Sequence, residues 1–282
     1  MSDSDRVYVG LEELPKVEIV NILNSVFEDY SLPMQWNLES FERDLQENNV
    51  SLSSSFVMEV GGERAGILLI SFREKRSRID LMGVIPKFRR SGIGFQMVDE
   101  VIRISKWKGC ERVTLEVLKR DLRALSFYQR FGFREKRDLI TFSLRRKSKG
   151  DFSFKSSTCG AVMEKALEVM GVFKRAPDWQ REPVNFPHLT FYNFDLIVDG
   201  EGREQGYCVW GRKENVLYVM DAGPSHEKDF GDVLDAICDI ARKMEMVVLF
   251  PTVPEDDPLY LAASDGFTEV LLIQTELVFR IH

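Results

Sequence analysis

Residues 84–94 read Val-Ile-Pro-Lys-Phe-Arg-Arg-Ser-Gly-Ile-Gly, and this stretch decides the fold. It carries a strand ending at Val84 through Pro86 into a short loop with two arginines and two glycines. A strongly periodic helix follows, with Ile93, Met97, Val101 and Ile104 in one apolar stripe and Gly109 closing it. Such a loop points successive backbone N–H groups at one spot, at the positive end of a helix dipole, where a pyrophosphate is well held. Gly92 and Gly94 let the backbone approach an anion closely, and Arg89 and Arg90 add charge-assisted hydrogen bonds. The alternative is an ordinary strand-to-helix turn with surface arginines.

The residues on either side settle the choice. Upstream, Val7–Val9 reads as a strand and Lys16–Phe27 as a helix with Ile19, Val20, Leu23 and Val26 on its apolar face. Asn37–Gln46 is a second helix with Asn37 as its N-cap. Phe56–Val60 and Ala65–Phe72 form a hairpin through Gly61-Gly62, and Arg78–Ile85 is the strand that delivers the loop. Downstream come the strand at Arg112–Leu118, the helix Asp121–Phe131 and two final strands expected within Phe133–Leu144. The order Arg89-x-x-Gly92-x-Gly94, then Asp121-x-x-Ala124-x-x-x-Tyr128-x-x-x-Gly132-Phe133, resembles the GCN5-related N-acetyltransferase superfamily. Residues 50–145 carry the likeness well and residues 1–50 loosely.

The resemblance implies a mixed α/β fold and acetyl-CoA as co-substrate. In that family the strand before the loop splays from its neighbour and pairs with pantetheine, a role that falls here on Met82 and Val84. The Val84 N–H would face the thioester carbonyl as an oxyanion donor. Arg89, Arg90, Ser91, Gly92, Ile93 and Gly94 would hold the pyrophosphate. Asp121 stands where the family usually has Asn, and an anion is less welcoming to phosphates. Tyr128 would be the general acid, since a phenol titrating near 10 is protonated at neutral pH and can donate to a departing thiolate. It is otherwise a core aromatic beside Phe127 and Phe131. Asp80, four residues before Val84 and so on the same strand face, and Glu116 near the end of the next strand are the candidate bases. Each is equally a salt-bridge partner for a nearby arginine. The aromatic and acidic loop Phe27–Trp36 would recognise the amine.

The 282 residues are long for one such domain and right for two. Residues 1–148 form the expected acetyltransferase domain and 149–282 a second, degenerate copy, joined at Arg-Arg-Lys-Ser-Lys-Gly (145–150). In the second half Phe191–Val198 and Gly206–Arg212 resemble the hairpin, Val216–Ala222 the strand before the loop, and Phe230–Met244 the helix after it. Placing Pro224 on Pro86 sets Glu227 at the position of Arg89, Phe230 at Gly92 and Asp232 at Gly94, a pattern hostile to phosphate.

The charge divides with the halves. Residues 1–149 hold 26 Lys and Arg against 22 Asp and Glu, and the remainder 12 against 23. A basic half suits a cofactor with several phosphates, and an acidic half attracts amines or simply keeps that half dissolved. No dense basic patch with interleaved aromatics points to nucleic acid. The first residues lack a signal peptide, and no stretch approaches the roughly 18 apolar residues of a membrane span. Four scattered cysteines and three histidines argue against disulfides and metal. The expectation is a cytoplasmic monomer or homodimer that moves an acetyl group from acetyl-CoA to a primary amine of a small molecule or peptide. A non-catalytic acyl-CoA sensor or interaction module is the rival.

Overall fold

The structure is a computed structural model, and it describes residues 6–30, 32, 34–147, 150–225, 228–264 and 266–282. In chain order the elements are β1 Arg6–Gly10, α1 Lys16–Val26, α2 Leu38–Glu47, β2 Phe56–Val60, β3 Glu63–Arg73, β4 Arg76–Val84, α3 Ile93–Trp107, β5 Arg112–Leu118, α4 Leu122–Phe131 and β6 Arg134–Arg145. They continue as β7 Phe152–Ser156, α5 Cys159–Val172, β8 Asn193–Asp199, β9 Glu204–Lys213, β10 Val216–Pro224, α6 Phe230–Lys243, β11 Val247–Pro254, α7 Pro258–Ala263 and β12 Phe267–Arg280.

Local chemistry sets several of these boundaries. Asn37 accepts the Ser40 N–H at 2.8 Å while Ser40 Oγ accepts the Asn37 N–H at 3.0 Å, a reciprocal cap that starts α2. Gly61 and Gly62 both take positive φ, as the tight β2–β3 hairpin requires. Gly109, at φ 75°, follows the end of α3.

Two compact units result. The first comprises residues to Val117, Leu122–Lys136 and Glu276–His282; the second comprises Leu118–Asp121 and Arg137–Thr275. This differs from a single cut between 148 and 149, two residues that lie outside the described set. Only one strand, β6, occupies Phe133–Leu144 where two were expected. The remaining strand of the first unit is the far end of β12. Leu277 is fully buried there, Phe279 and Ile281 pack on the same cluster, and the Ile281 N–H donates to the Glu111 carbonyl at 2.9 Å.

Within the first unit the strand order is β1-β2-β3-β4-β5 and then the end of β12, antiparallel up to β4 with β4 and β5 parallel. One face is covered by α3 and α4 over Ile79, Met97, Val101, Leu125 and Tyr128. The other is covered by α1 and α2 over Ile19, Leu23, Phe41, Ile67 and Leu69. The second unit runs from the start of β12 through β6-β11-β10-β9-β8 to β7, again with one parallel pair, β10 with β11. Its single core gathers Phe142, Phe186, Tyr207, Ile237 and Phe250.

Candidate active site

Strands β4 and β5 pair only at Arg76–Arg112, Ser77–Val113 and Arg78–Thr114. Beyond Arg78 they part, and the rest of β4 has one unpaired edge. Ile85 gives its N–H to the Ala65 carbonyl at 2.8 Å, toward β3. Amides alternate along an extended strand, so those of Val84 and Met82 face the open edge. The Val84 carbonyl on that edge accepts from Arg89 Nε at 2.9 Å.

The β3–β4 register slips between Leu69–Leu81 and Ile70–Ile79, leaving Asp80 as the extra residue of a bulge. The bulge corrects the expected placement of Asp80. Ile79, Met82 and Val84 all belong to the cluster under α3 and α4, whereas Leu81 belongs to the cluster under α1 and α2, and a Cβ on Gly83 would collide with Val26 of α1. With Ile79 and Met82 on one face, Asp80 falls on the other, opposite Val84. Asp80 therefore faces the α1–α2 side of the parted strands, and Tyr128 faces the α3–α4 side.

The loop after β4 presents a row of backbone amides. Gly92 is the left-handed N-cap of α3 at φ 83°, and Ile93, 2% exposed, anchors the first turn. The amides of Ile93 and Gly94 belong to the helix turn that has no internal acceptor. Those of Arg90, Ser91 and Gly92 have no acceptor among the described residues. A Cβ on Gly94 would sit 3.4 Å from Phe127 of α4, so the glycine also brings the two helices together. Arg90 is exposed beside these amides.

Arg89 does something other than expected. Its guanidinium turns back to the end of α1, binding the Asp29 carboxylate with both terminal nitrogens (2.5 and 2.8 Å) and the Val26 carbonyl at 3.2 Å. The same pair holds the Asp29 carboxyl below its ordinary range. Arg89 braces the loop rather than extending into it. Arg6 of β1, which the sequence did not single out, donates to the Ser91 carbonyl at 3.0 Å.

Tyr128 is 8% exposed, held edge-on between Phe127 and Phe133 at 5.0 and 5.5 Å between ring centres. Its hydroxyl lies 3.9 Å from Met82 Sδ, on the open stretch of β4. Tyr128, Met82, Val84 and the loop are thus brought together. Asp121 precedes α4, with its N–H bound to the Leu118 carbonyl at 2.8 Å, in a segment that groups with the second unit.

Both candidate bases share one partner that sequence reading missed. Arg78, buried to 7% exposure, binds Glu116 at 2.8–3.0 Å, reaches Asn48 Oδ1 at 3.2 Å and contacts Asp80. Ser71 Oγ donates to Asp80 at 2.5 Å. Burial pushes the Asp80 carboxyl up to about 7, against the opposing pull of Arg78. On the same side α2 carries Glu47, pushed to about 7 by burial and by Asp44, and Asp44 itself, raised by burial although Trp36 Nε1 donates to it at 2.7 Å. Within the expected recognition loop Ser31 and Pro33 lie outside the described residues. Trp36 is a packed core residue, 5.6 Å from the Phe27 ring. No group of three or more potential metal ligands occurs among the described residues, and no helix among them is long and apolar enough to cross a membrane.

The second unit repeats this frame with the slot closed. Gly206 pairs with Pro224 as Gly66 pairs with Val84, and the Ser225 N–H binds the Gln205 carbonyl as Ile85 binds Ala65. The register thus matches Pro224 to Val84, not to Pro86, and a proline has no N–H to offer an oxyanion. Seven residues separate Val84 from the α3 cap at Gly92, but only four separate Pro224 from the α6 cap at Asp229. Asp229 accepts the Asp232 N–H at 2.9 Å and Asp232 accepts the Asp229 N–H at 3.3 Å, so carboxylates already occupy that helix end. Glu227, set against Arg89 above, lies outside the described residues. Strands β10 and β11 also part, after Tyr218–Leu249, but Arg181 spans the gap, donating to the Val219 and Pro251 carbonyls at 3.3 and 2.9 Å. Beside it Arg175 binds Asp221 and Asp257, and Tyr207 donates to Asp221 at 2.7 Å, all buried.

Comparison with known proteins agrees with this frame. Residues 18–133 match the sequence model described as the acetyltransferase (GNAT) family. An uncharacterized N-acetyltransferase of Methanocaldococcus jannaschii is 38% identical over 88 residues, which cover 29% of this chain and 39% of that protein. A GCN5-related N-acetyltransferase from Sphaerobacter thermophilus matches with a TM-score of 0.69 at 14% identity, over 100% of this chain and 97% of its own. A tandem GNAT protein from the clavulanic acid biosynthesis pathway matches with a TM-score of 0.68 at 12% identity, over 98% and 99%. At such identities the structural likeness is one of fold.

Proposed function

Residues 18–133 belong to the acetyltransferase (GNAT) family and the chain has the tandem GNAT fold, and on that premise we propose that it moves an acetyl group from acetyl-CoA to a primary amine at the first unit alone. The observation that carries this reading is the open edge of β4, with the Val84 amide on it and the Tyr128 hydroxyl beside Met82. Pantetheine amides pair with that edge, and the pyrophosphate sits on the free amides of residues 90–94. The thioester carbonyl takes the Val84 N–H, which strengthens as the carbonyl becomes an oxyanion. The amine arrives from the α1–α2 side, loses a proton to Asp80 and attacks; the collapsing adduct expels a thiolate that Tyr128 protonates.

Asp80 is preferred to Glu116 because its carboxyl is poised near neutrality and lies at the bulge where the strands part. A base with a pKa of about 7 is protonated below it, so kcat/KM should climb as pH rises through about 7. Asp80→Asn should lose that limb and about 10²-fold in rate. A mutant that keeps the limb excludes Asp80 as the base. Thiol release from acetyl-CoA across a panel of primary amines tests the whole reading. Release that depends on the amine is expected; tight CoA binding with no release for any amine favours the sensor instead.

A further inference from the structure

The Ser71 hydroxyl of β3 is fully buried and carries one proton, yet two acceptors lie within its reach. The Asn48 carbonyl at the end of α2 is 2.9 Å away, and Asp80 Oδ2 is 2.5 Å away. With Asp80 ionised, the hydroxyl donates to the carboxylate. With Asp80 protonated, the carboxyl is itself a donor to Ser71 Oγ, and the hydroxyl turns to the Asn48 carbonyl. Both arrangements leave each hydrogen with an acceptor. The buried carboxyl can therefore gain or lose a proton without stranding a donor, which would be costly at this depth.

Arg78 divides its guanidinium between two carboxylates. Nε and Nη2 go to Glu116 at 2.8–3.0 Å, and Nη1 serves Asp80 and Asn48 Oδ1. Glu116 is thus the fork's main partner and Asp80 its minor one. Burial raises the Asp80 carboxyl to about 7; Arg78 and Ser71 oppose it, Glu116 adds to it, and Arg73 of β3 opposes it. The other charged groups on the elements packed against this strand are Arg43, Asp44 and Glu47 of α2 and Lys16 and Glu18 of α1, the last two paired with Glu42 and Arg64.

We propose that Ser71 and Arg78 are positioning residues for Asp80: the hydroxyl reverses its hydrogen bond as the carboxyl takes up and releases the amine's proton, while Glu116 holds most of Arg78 and so keeps Asp80 basic. Ser71 keeps its own proton throughout and only turns. The proposal rests on Asp80 as the base, and it gives Glu116 a part in the transfer without contact with the amine.

Carbon-13 NMR of the full chain, labelled at the aspartate carboxyls, reads Asp80 with neither acetyl-CoA nor amine present; the Asp80→Asn spectrum identifies its resonance. Its midpoint should lie near about 7. Ser71→Ala removes a hydrogen bond that favours the ionised form over the neutral one, and the midpoint should rise by about one pH unit. Glu116→Gln keeps the shape, removes a like charge and frees Arg78 for Asp80, and should lower the midpoint by about one pH unit. Lost packing alone gives no reason for opposite signs. Midpoints that stay in place, or that move in the same direction, overturn the proposal. The rising limb of kcat/KM should follow the NMR midpoint in each variant. A limb that stays put while the midpoints move apart supports the tuning of Asp80 and overturns its role as the base, so the two failures are told apart.

Discussion

Tyr128→Phe is expected to lower kcat by about 10²-fold or more, the usual scale for loss of a general acid. The substitution removes one oxygen from a ring that is packed edge-on against Phe127 and Phe133, so the helix and its core should persist. The hydroxyl lies at the open stretch of β4, 3.9 Å from Met82 Sδ, where a leaving sulfur would emerge. Affinity for CoA should change little, and kcat and kcat/KM should fall together, as they do when an interaction belongs to the transition state alone. Near-normal turnover by the mutant on a good acceptor would assign the proton to water or to another residue.

Ending the chain at Thr275 should abolish the folding and activity of the first unit, although every residue proposed to do chemistry remains. The seven residues removed include Leu277, fully buried, Phe279, packed against Phe131 and Phe133, and Ile281, packed on the same cluster. Lys136 loses its pair with Glu276, and Lys106 its contact with the His282 carbonyl. Truncating Leu277 to Ala alone should cost about 2–5 kcal/mol, a large part of the roughly 5–15 kcal/mol by which domains are stable. Thermal unfolding followed with and without CoA reads this directly. A truncated chain that still unfolds cooperatively and gains stability from CoA would show that the last strand is dispensable. By the same logic, a fragment of residues 1–148 should be inactive.

The parts of the fold written in neighbouring residues were legible. The Gly61-Gly62 hairpin, the Asn37 cap and the glycine loop with its helix each depend on chemistry within a few positions. The exchange of final strands was not, because β6 and β12 are each a single long strand whose partners lie far along the chain. Helix α5 carries glycines at 160 and 171 and only three buried residues, too thin a stripe to read. At the site, the placement of the loop ahead of α3 and of Tyr128 on the helix beside β4 was legible from motif spacing. The bulge was not, since Asp80 becomes an extra residue only through the β3 register, and that register moves it to the opposite face. The partner of Arg89 is Asp29, sixty positions away. Pro224 matches Val84 for the same reason: strand pairing, not loop resemblance, sets the correspondence.

The first unit alone is expected to hold the acyl donor, and calorimetric titration with acetyl-CoA tests this most directly. The slot of the second unit is closed by Arg181, by the missing amide at Pro224 and by the Asp229–Asp232 cap. One acetyl-CoA should therefore bind per chain. Arg90→Glu, at an exposed position of the first loop, sets a carboxylate beside the amides of residues 90–94 and should weaken binding by about tenfold or more. Two molecules bound per chain, or one whose affinity is indifferent to Arg90→Glu, would contradict the account.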